Sequence, residues 1–449
     1  MKHSTREKVA YGIGAVGKDM VYSLVAGFLM YYYNIVLGIS ATFIGVLFMA
    51  ARVFDAFNDP IMGVVVEKTR TKWGKFRPWL VIGTLLNAIV LYAMFTVPEV
   101  LVGTNLLLYT SIAYVLWGMS YTVMDIPYWS MIPAITTPGK EREAMSVVAR
   151  SCAGLGFALP VALTMVLVPM LGKGVDRVGF SILALIIAGV FIIATFVTVS
   201  NVKEKATSDL KSPTVKEMFR ALLGNDQALV VVVTIVVFNG SLYLTQQLAL
   251  YFFKYDVLNA ALFGVFGTVG GAAQILSMTL LPVFRKKFSS KQLLTGSIGF
   301  TLVGYAILFI LGTLGNQNIV LLSIAAVIIF MGFGMATVLT TVFLADTVDY
   351  GEWKNHQRSE SVVFSLQTFV VKFASALSVL IAGVGLDLIR LDIHAETQTA
   401  MTLLGLRILM IVVPMVGLFA SVVFFRRRYR LDEAELVRIS QALDVRRAL

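Results

Sequence analysis

Residues 179–200 read GFSILALIIAGVFIIATFVTVS, a predominantly apolar run without a charged side chain. About 20 such residues form an α-helix long enough to cross the hydrocarbon core of a bilayer. Because lipid cannot hydrogen-bond free backbone groups, a run of this length must be helical. The stretch therefore predicts an all-α membrane protein.

Similar runs recur along the chain of 449 residues, which is 58% hydrophobic, 14% charged and has a mean hydropathy of +0.83. Soluble domains carry roughly 25% charged residues, so the composition excludes an ordinary soluble fold. About twelve transmembrane helices are predicted. The runs are 11–37, 41–66, 79–98, 105–133, 144–171, 179–200, 228–253, 258–284, 291–313, 318–347, 359–389 and 400–425.

The formal net charge of +11 comes from Lys and Arg concentrated in alternate loops between these runs. By the positive-inside rule, this asymmetry predicts a multi-pass protein of the cell inner membrane with both termini in the cytoplasm. It does not indicate nucleic acid as a partner. Since there is no Walker pattern, ATP is not an expected partner either. With no nucleophile–base set in the sequence, an enzyme is not expected.

The longest polar interruption, 201–226, divides the runs six and six. A weak internal repeat agrees with that division, because Asp125 precedes Arg150 by about as many residues as Asp346 precedes Lys372. Two six-helix halves related as parallel repeats describe the major facilitator fold. The predicted parts are an N-terminal bundle (1–200), a cytoplasmic middle loop (201–226), a C-terminal bundle (227–425) and a cytoplasmic tail (426–449).

Two carboxylates and an amide lie on one face of the second run, where Asp55, Asn58 and Asp59 have i, i+3, i+4 spacing. Ionised residues in a bilayer are unfavourable and commonly mark ion or substrate paths. Oxygen ligands suit a hard cation such as Na⁺ or Li⁺, and Thr122 and Asp125 on the fourth run could complete the site. A shared proton and a structural ion pair between Arg52 and Asp55 are the alternatives.

A second group of polar residues suits a small polyhydroxylated ligand. Lys18 and Asp19 lie in the first run, Asp125 and Trp129 in the fourth, and Arg150 in the fifth. Carboxylates accept hydrogen bonds from hydroxyl groups, cations donate them, and an indole can stack on a sugar ring. Alternatively, Lys18 and Asp19 extend to the membrane interface and Trp129 belongs to an interfacial aromatic belt.

Charged groups also cluster at the predicted cytoplasmic side. The basic segment 68–78 could form ion pairs that close a gate, or could only follow the positive-inside rule. Asp346, Asp349 and Glu352 could pair with such basic loops, or form a solvated helix end.

Several motifs resemble the glycoside–pentoside–hexuronide:cation symporters of the major facilitator superfamily, most closely their melibiose-transporting branch. The resemblance extends from about residue 8 to residue 430, with the motifs in the same order. They are YGIGAVGKD (11–19), RVFDAFNDPIMG (52–63), WGKFRPW (73–79), WGMSYTVMDIPYWS (117–130) and ADTVDYGE (345–352).

The resemblance implies symport of a sugar with Na⁺, Li⁺ or H⁺ as coupling ion and no other cofactor. The cation ligands it implies are Asp55, Asn58, Asp59 and Thr122. The sugar contacts it implies are Lys18, Asp19, Asp125, Trp129, Arg150, Gln367, Thr368 and Lys372.

Two positions depart from the pattern of that branch. Thr337 replaces a pocket tryptophan, and Ala26 replaces a tyrosine beside the sugar. Without these aromatic walls the pocket should be larger or differently shaped, so a different galactoside or a bulkier glycoside is expected to fit better than melibiose. The alternatives are a symporter of the same fold for a lipid-like or other small molecule, and a membrane sugar sensor that does not transport.

Overall fold

A computed structural model describes residues 5–136, 140–204, 224–355, 360–393, 395 and 397–448. Within these ranges the chain is helical, with short connections and no strand. The helices are α1 (Thr5–Val36), α2 (Ala41–Lys68), α3 (Arg77–Phe95), α4 (Gly103–Ile135), α5 (Lys140–Leu171), α6 (Asp176–Asn201), α7 (Asp226–Asp256), α8 (Ala261–Phe284), α9 (Ser290–Thr313), α10 (Ile319–Asn355), α11 (Glu360–Leu388), α12 (Ala400–Arg428) and α13 (Glu433–Ala448).

Eleven helices of the described residues are long and apolar enough to cross a membrane. The remaining long helix among the twelve predicted spans is α2, five of whose side chains (56, 57, 60, 64 and 67) lie outside the described residues. Large apolar side chains on the outer surface, such as Ile89 and Ile193, are about two-thirds exposed, as lipid-facing residues are. The chain is therefore a multi-pass, all-α membrane protein, as predicted.

The helices form two compact units, Met1–Lys211 and Ser212–Leu449. Most of the predicted middle loop, 205–223, lies outside the described residues. The predicted domain limits therefore stay a prediction.

The two units share an internal repeat at the end of their first helices. The π-helical turn Tyr32–Val36 ends α1, and the π-helical turn Phe252–Asp256 ends α7. Each is followed two residues later by a left-handed residue, Gly38 (φ 72°) or Leu258 (φ 60°), and then by the next helix. The same connection geometry thus recurs in both halves of the sequence.

In the first unit, α1 packs against α5 and α6, while α3 packs against α4 and α6. Small residues bring these helices close together. A Cβ on Gly156 of α5 would lie 2.8 Å from the Val16 Cα, and a Cβ on Gly83 of α3 would lie 2.7 Å from the Met124 backbone nitrogen. These contacts hold α1, α4 and α5 at the positions from which they supply the polar residues described below.

In the second unit, α7 packs against α11 and α12, and α10 packs against α8 and α9. Gly332 and Gly334 of α10 lie against α9 and α8, respectively, too closely for a side chain. Gly154 of α5 is different, because a Cβ there would meet nothing within 4 Å.

Candidate functional site

The first unit has a buried ion-pair cluster around Lys18 of α1. The Lys18 ammonium lies 2.7 Å from Asp125 Oδ1 of α4 and 3.1 Å from Asp19 Oδ2. It also donates a hydrogen bond of 3.2 Å to the Tyr121 hydroxyl. The Lys18 side chain is only 4% exposed, so it does not extend to the membrane interface. Lys18 therefore interacts with two carboxylates at once.

Trp129 and Arg150 extend this cluster. The Trp129 Nε1 donates a hydrogen bond of 3.1 Å to Asp125 Oδ1. The Arg150 guanidinium lies 4.3 Å from the centre of the Trp129 ring, and the Lys18 ammonium lies 5.0 Å from it. Cations near an aromatic face are attracted by its quadrupole. The structure thus brings Lys18, Asp125, Trp129 and Arg150 into one group and does not place Trp129 as an isolated belt residue.

Two tyrosines near the cluster, Tyr11 of α1 and Tyr128 of α4, hold the register of these two helices. The Tyr11 and Tyr128 rings stack with centroids 4.5 Å apart. Each hydroxyl donates a hydrogen bond to the other residue's backbone carbonyl, at 2.7 Å for Tyr128. Both residues are buried. This double contact fixes the height at which Lys18 meets Asp125.

The residues predicted to bind a cation lie where α2 faces α4. The Thr122 hydroxyl donates a hydrogen bond of 3.0 Å to Asp59 Oδ1. A Cβ on Gly118 would lie 3.3 Å from Asp55 Oδ1. Asp55 is buried, whereas Asn58 and Asp59 are half-buried. Both carboxylates therefore lie against the segment of α4 that precedes Asp125, not in open solvent.

The ion pair between Arg52 and Asp55, which was the alternative to a cation site, is also present. The Arg52 Nη1 lies 3.3 Å from Asp55 Oδ2, one turn away on α2. The Arg52 guanidinium lies 5.9 Å from the centre of the Tyr22 ring. Among the described residues no cluster of three or more His, Cys, Asp or Glu could hold a metal ion. The predicted set has two carboxylates, an amide and a hydroxyl, a donor set that suits a monovalent hard cation.

The predicted residues of the second unit are less completely described. Lys372 of α11 is half-buried, and the side chains of Gln367 and Thr368 lie outside the described residues. The Thr337 hydroxyl donates to the Phe333 carbonyl of its own helix, at 2.7 Å. Ala26 is half-buried on α1. Their roles in binding remain predictions.

Sequence reasoning missed the aromatic residues that surround the cluster. Tyr121 binds Lys18 and stacks on Trp117, with centroids 5.3 Å apart. Tyr22 packs against both of these rings. Trp117 is 2% exposed, so it is a packing residue and not part of an interfacial belt. The spacing of Lys18 and Tyr22, and of Tyr121 and Asp125, one turn apart on each helix, is the signal that could have identified them.

The basic segment between α2 and α3 has an unforeseen carboxylate partner. Glu204 accepts hydrogen bonds from the backbone nitrogens of Lys75 (2.6 Å), Phe76 (3.0 Å) and Arg77 (3.1 Å). A carboxylate is favourable at a helix N-terminus, here that of α3.

In the second unit, Asp346 accepts a hydrogen bond from the Tyr429 hydroxyl at 3.4 Å. The proposed gate pairing of Asp346, Asp349 and Glu352 with basic loops stays a prediction.

Comparison with known sequences identifies one family over most of the chain. The family described as MFS/sugar transport protein matches residues 10–433. The isoprimeverose transporter of Lactiplantibacillus pentosus is 28% identical over 96% of this chain and 89% of its own length. The putative glycoside/cation symporter YagG of Escherichia coli (strain K12) is 29% identical over 99% of this chain and 95% of its own length.

Solved structures show the same fold. The nucleoside transporter NupG aligns with a TM-score of 0.69 at 15% identity, over 93% of this chain and all of that one. At this identity the likeness concerns the fold alone.

Proposed function

Because the chain belongs to the MFS/sugar transport protein family, we propose that it is a secondary transporter that carries a sugar or glycoside together with Na⁺, Li⁺ or H⁺. The relatives support this proposal, since proteins named as an isoprimeverose transporter and a putative glycoside/cation symporter match almost the whole chain. In such a transporter the two halves move so that a central site opens alternately to one side of the membrane and then to the other.

The cation binds among Asp55, Asn58, Asp59 and Thr122. Its charge offsets the repulsion between two carboxylates one helical turn apart in a low dielectric. Asp55 lies one turn from Arg52, and Asp59 accepts a hydrogen bond from Thr122 of α4. Asp59 is the carboxylate substituted in the test below, because it contacts a second proposed cation ligand on another helix.

The sugar binds at the cluster around Lys18. Asp19 and Asp125 accept hydrogen bonds from its hydroxyl groups, Lys18 and Arg150 donate to others, and the Trp129 ring packs on its apolar face. Two contacts favour this assignment, because Trp129 is oriented by its hydrogen bond to Asp125 and has the Arg150 guanidinium near its ring. Preorganised polar groups of this kind lower the entropy lost on binding.

The observation that carries the proposal is that one short segment of α4 touches both sites. Thr122 contacts Asp59, and the adjacent Tyr121 contacts Lys18. Asp125 follows one turn later in contact with the same lysine. A cation that binds to Asp59 and Thr122 therefore changes the position of groups that bind the sugar. By linkage, the sugar must raise cation affinity by the same factor.

The small side chains at Ala26 and Thr337 favour a glycoside other than melibiose. This proposal follows from the resemblance, in which both positions carry aromatic residues. Lys372, Gln367 and Thr368 of the second unit are proposed as further sugar contacts. The protein is proposed to lie in the inner membrane with both termini cytoplasmic.

Uptake into right-side-out membrane vesicles tests the proposal. Radiolabelled isoprimeverose, raffinose, melibiose and a β-glucuronide are supplied with an inward gradient of Na⁺, Li⁺ or H⁺. We expect at least one glycoside to accumulate only with one of these gradients. Asp59→Cys should abolish gradient-driven accumulation, while Asp176→Asn, at the start of α6, should retain it. Intact cation-driven accumulation by Asp59→Cys would show that the cation assignment is wrong.

A further inference from the structure

A buried amide on α3 holds the segment of α4 that touches both proposed sites. The Asn87 Nδ2 donates hydrogen bonds to the Trp117 carbonyl at 3.0 Å and to the Ser120 hydroxyl oxygen at 2.9 Å. The Ser120 hydroxyl in turn donates to the same carbonyl at 3.1 Å. Asn87 has no measurable exposure, and Ser120 is also buried. These contacts tie one turn of α4 to α3.

The orientation of the Asn87 amide follows from its partners. The Trp117 carbonyl can only accept a hydrogen bond, so the Asn87 nitrogen and not its oxygen must face it. The Asn87 Oδ1 is consequently left buried without a hydrogen-bond partner among the described residues. A buried amide with an unpartnered oxygen is unfavourable for stability alone, since an apolar residue of the same size would avoid the loss. A role in positioning α4 accounts for its presence.

The turn that Asn87 holds is the one on which the proposed coupling depends. Gly118 lies against Asp55, the Tyr121 hydroxyl accepts a hydrogen bond from Lys18, and the Thr122 hydroxyl donates one to Asp59. Side-chain hydrogen bonds to a helix carbonyl displace it from the regular ladder and bend the helix locally. The direction in which Thr122 points at Asp59 is thus set partly by α3.

We propose that Asn87 is a positioning residue for cation coupling, which fixes the Trp117–Thr122 turn of α4 and so holds Thr122 in place for the cation. This inference rests on the proposed function. Asn87 contacts neither the proposed sugar ligands nor the cation ligands directly, and acts through α4. Its loss should weaken cation binding while the folded protein persists.

The test measures cation binding to the purified full-length protein without any sugar. The melting temperature is followed while NaCl or LiCl replaces choline chloride at constant ionic strength, and in a separate series as pH is varied. A ligand that binds only the folded state raises the melting temperature, so the titration midpoint reports its affinity. The cation that stabilises the wild type is then used for each variant.

Asn87→Leu should raise the cation concentration at the titration midpoint about tenfold. If the cation is a proton, it should lower the apparent pKa correspondingly. Ser120→Ala removes one of the two partners and should shift the midpoint in the same direction by a smaller factor. It also provides a second variant if Asn87→Leu does not fold. Thr84→Val is the matched control, because Thr84 is buried on the same helix but bonds Thr195 of α6 at 3.1 Å. It should lower the melting temperature without moving the midpoint.

Midpoints within twofold of the wild type for Asn87→Leu and Ser120→Ala would overturn the inference and leave the proposed function intact. A uniform loss of melting temperature with unchanged midpoints would do the same, since that is the result of a purely structural role. If no cation stabilised the wild type and no glycoside were accumulated, the proposed function itself would be wrong, and this inference with it.

Discussion

Lys18 is the residue whose replacement should be least tolerated in the first unit, because its ammonium lies between two carboxylates in a buried setting. Removing one partner of a buried ion pair costs roughly 3–5 kcal/mol, since the other charge is left uncompensated. Lys18→Met should therefore lower the melting temperature strongly, whereas Lys203→Met, at an exposed lysine, should not. The double variant Lys18→Met/Asp125→Asn should recover stability in part. Equal melting temperatures for Lys18→Met and Lys203→Met would contradict this account of the cluster.

Thr122 offers a finer test of the cation site, because its hydroxyl donates a hydrogen bond to Asp59. A hydrogen bond to a charged group contributes about 1.5–3 kcal/mol, equivalent to at least about tenfold in a binding constant. Thr122→Ala should raise the cation concentration that half-saturates uptake by about that factor, and Thr122→Ser should keep it near the wild-type value. Uptake is measured against external Na⁺ or Li⁺ at a fixed sugar concentration. Equal half-saturation in the alanine and serine variants would remove Thr122 from the ligand set.

At the scale of elements, the N-terminus of α3 depends on Gly74 for two separate reasons. Gly74 has a φ of 107°, and a Cβ there would lie within 2.8 Å of the Glu204 carboxylate that caps the helix. Gly103 is a matched control, since its φ is 53° but a Cβ would meet nothing within 4 Å. A positive φ in a non-glycine residue costs roughly 1–2 kcal/mol. Gly103→Ala should lower the free energy of unfolding by about this amount. Gly74→Ala should lower it by clearly more, as measured by thermal unfolding.

The sequence predicts the helices well because their signal is local. Long apolar runs identify the spans, although α1 and α10 extend beyond them into polar residues. Pairs within one helix, such as Arg52 and Asp55, can also be foreseen from their spacing. The bonds of Glu204 to the N-terminus of α3, and of Asn87 of α3 to α4, could not be foreseen, because they depend on which helices become neighbours. A single polar residue in an apolar run does not reveal its partner.

At the scale of the whole molecule, the distribution of basic residues predicts which loops face the cytoplasm, and labelling can test this prediction. In a variant lacking Cys152, single cysteines replace Val100 and Leu314, expected outside, or Lys72 and Lys287, expected inside. All four residues are exposed, so access to a membrane-impermeant maleimide depends only on the side of the membrane. Right-side-out vesicles should label the first pair, and inverted vesicles the second, since loops rich in Lys and Arg stay in the cytoplasm. The reverse pattern would place both termini outside, and a mixed pattern within one half would show that a helix between the labelled loops does not cross the membrane.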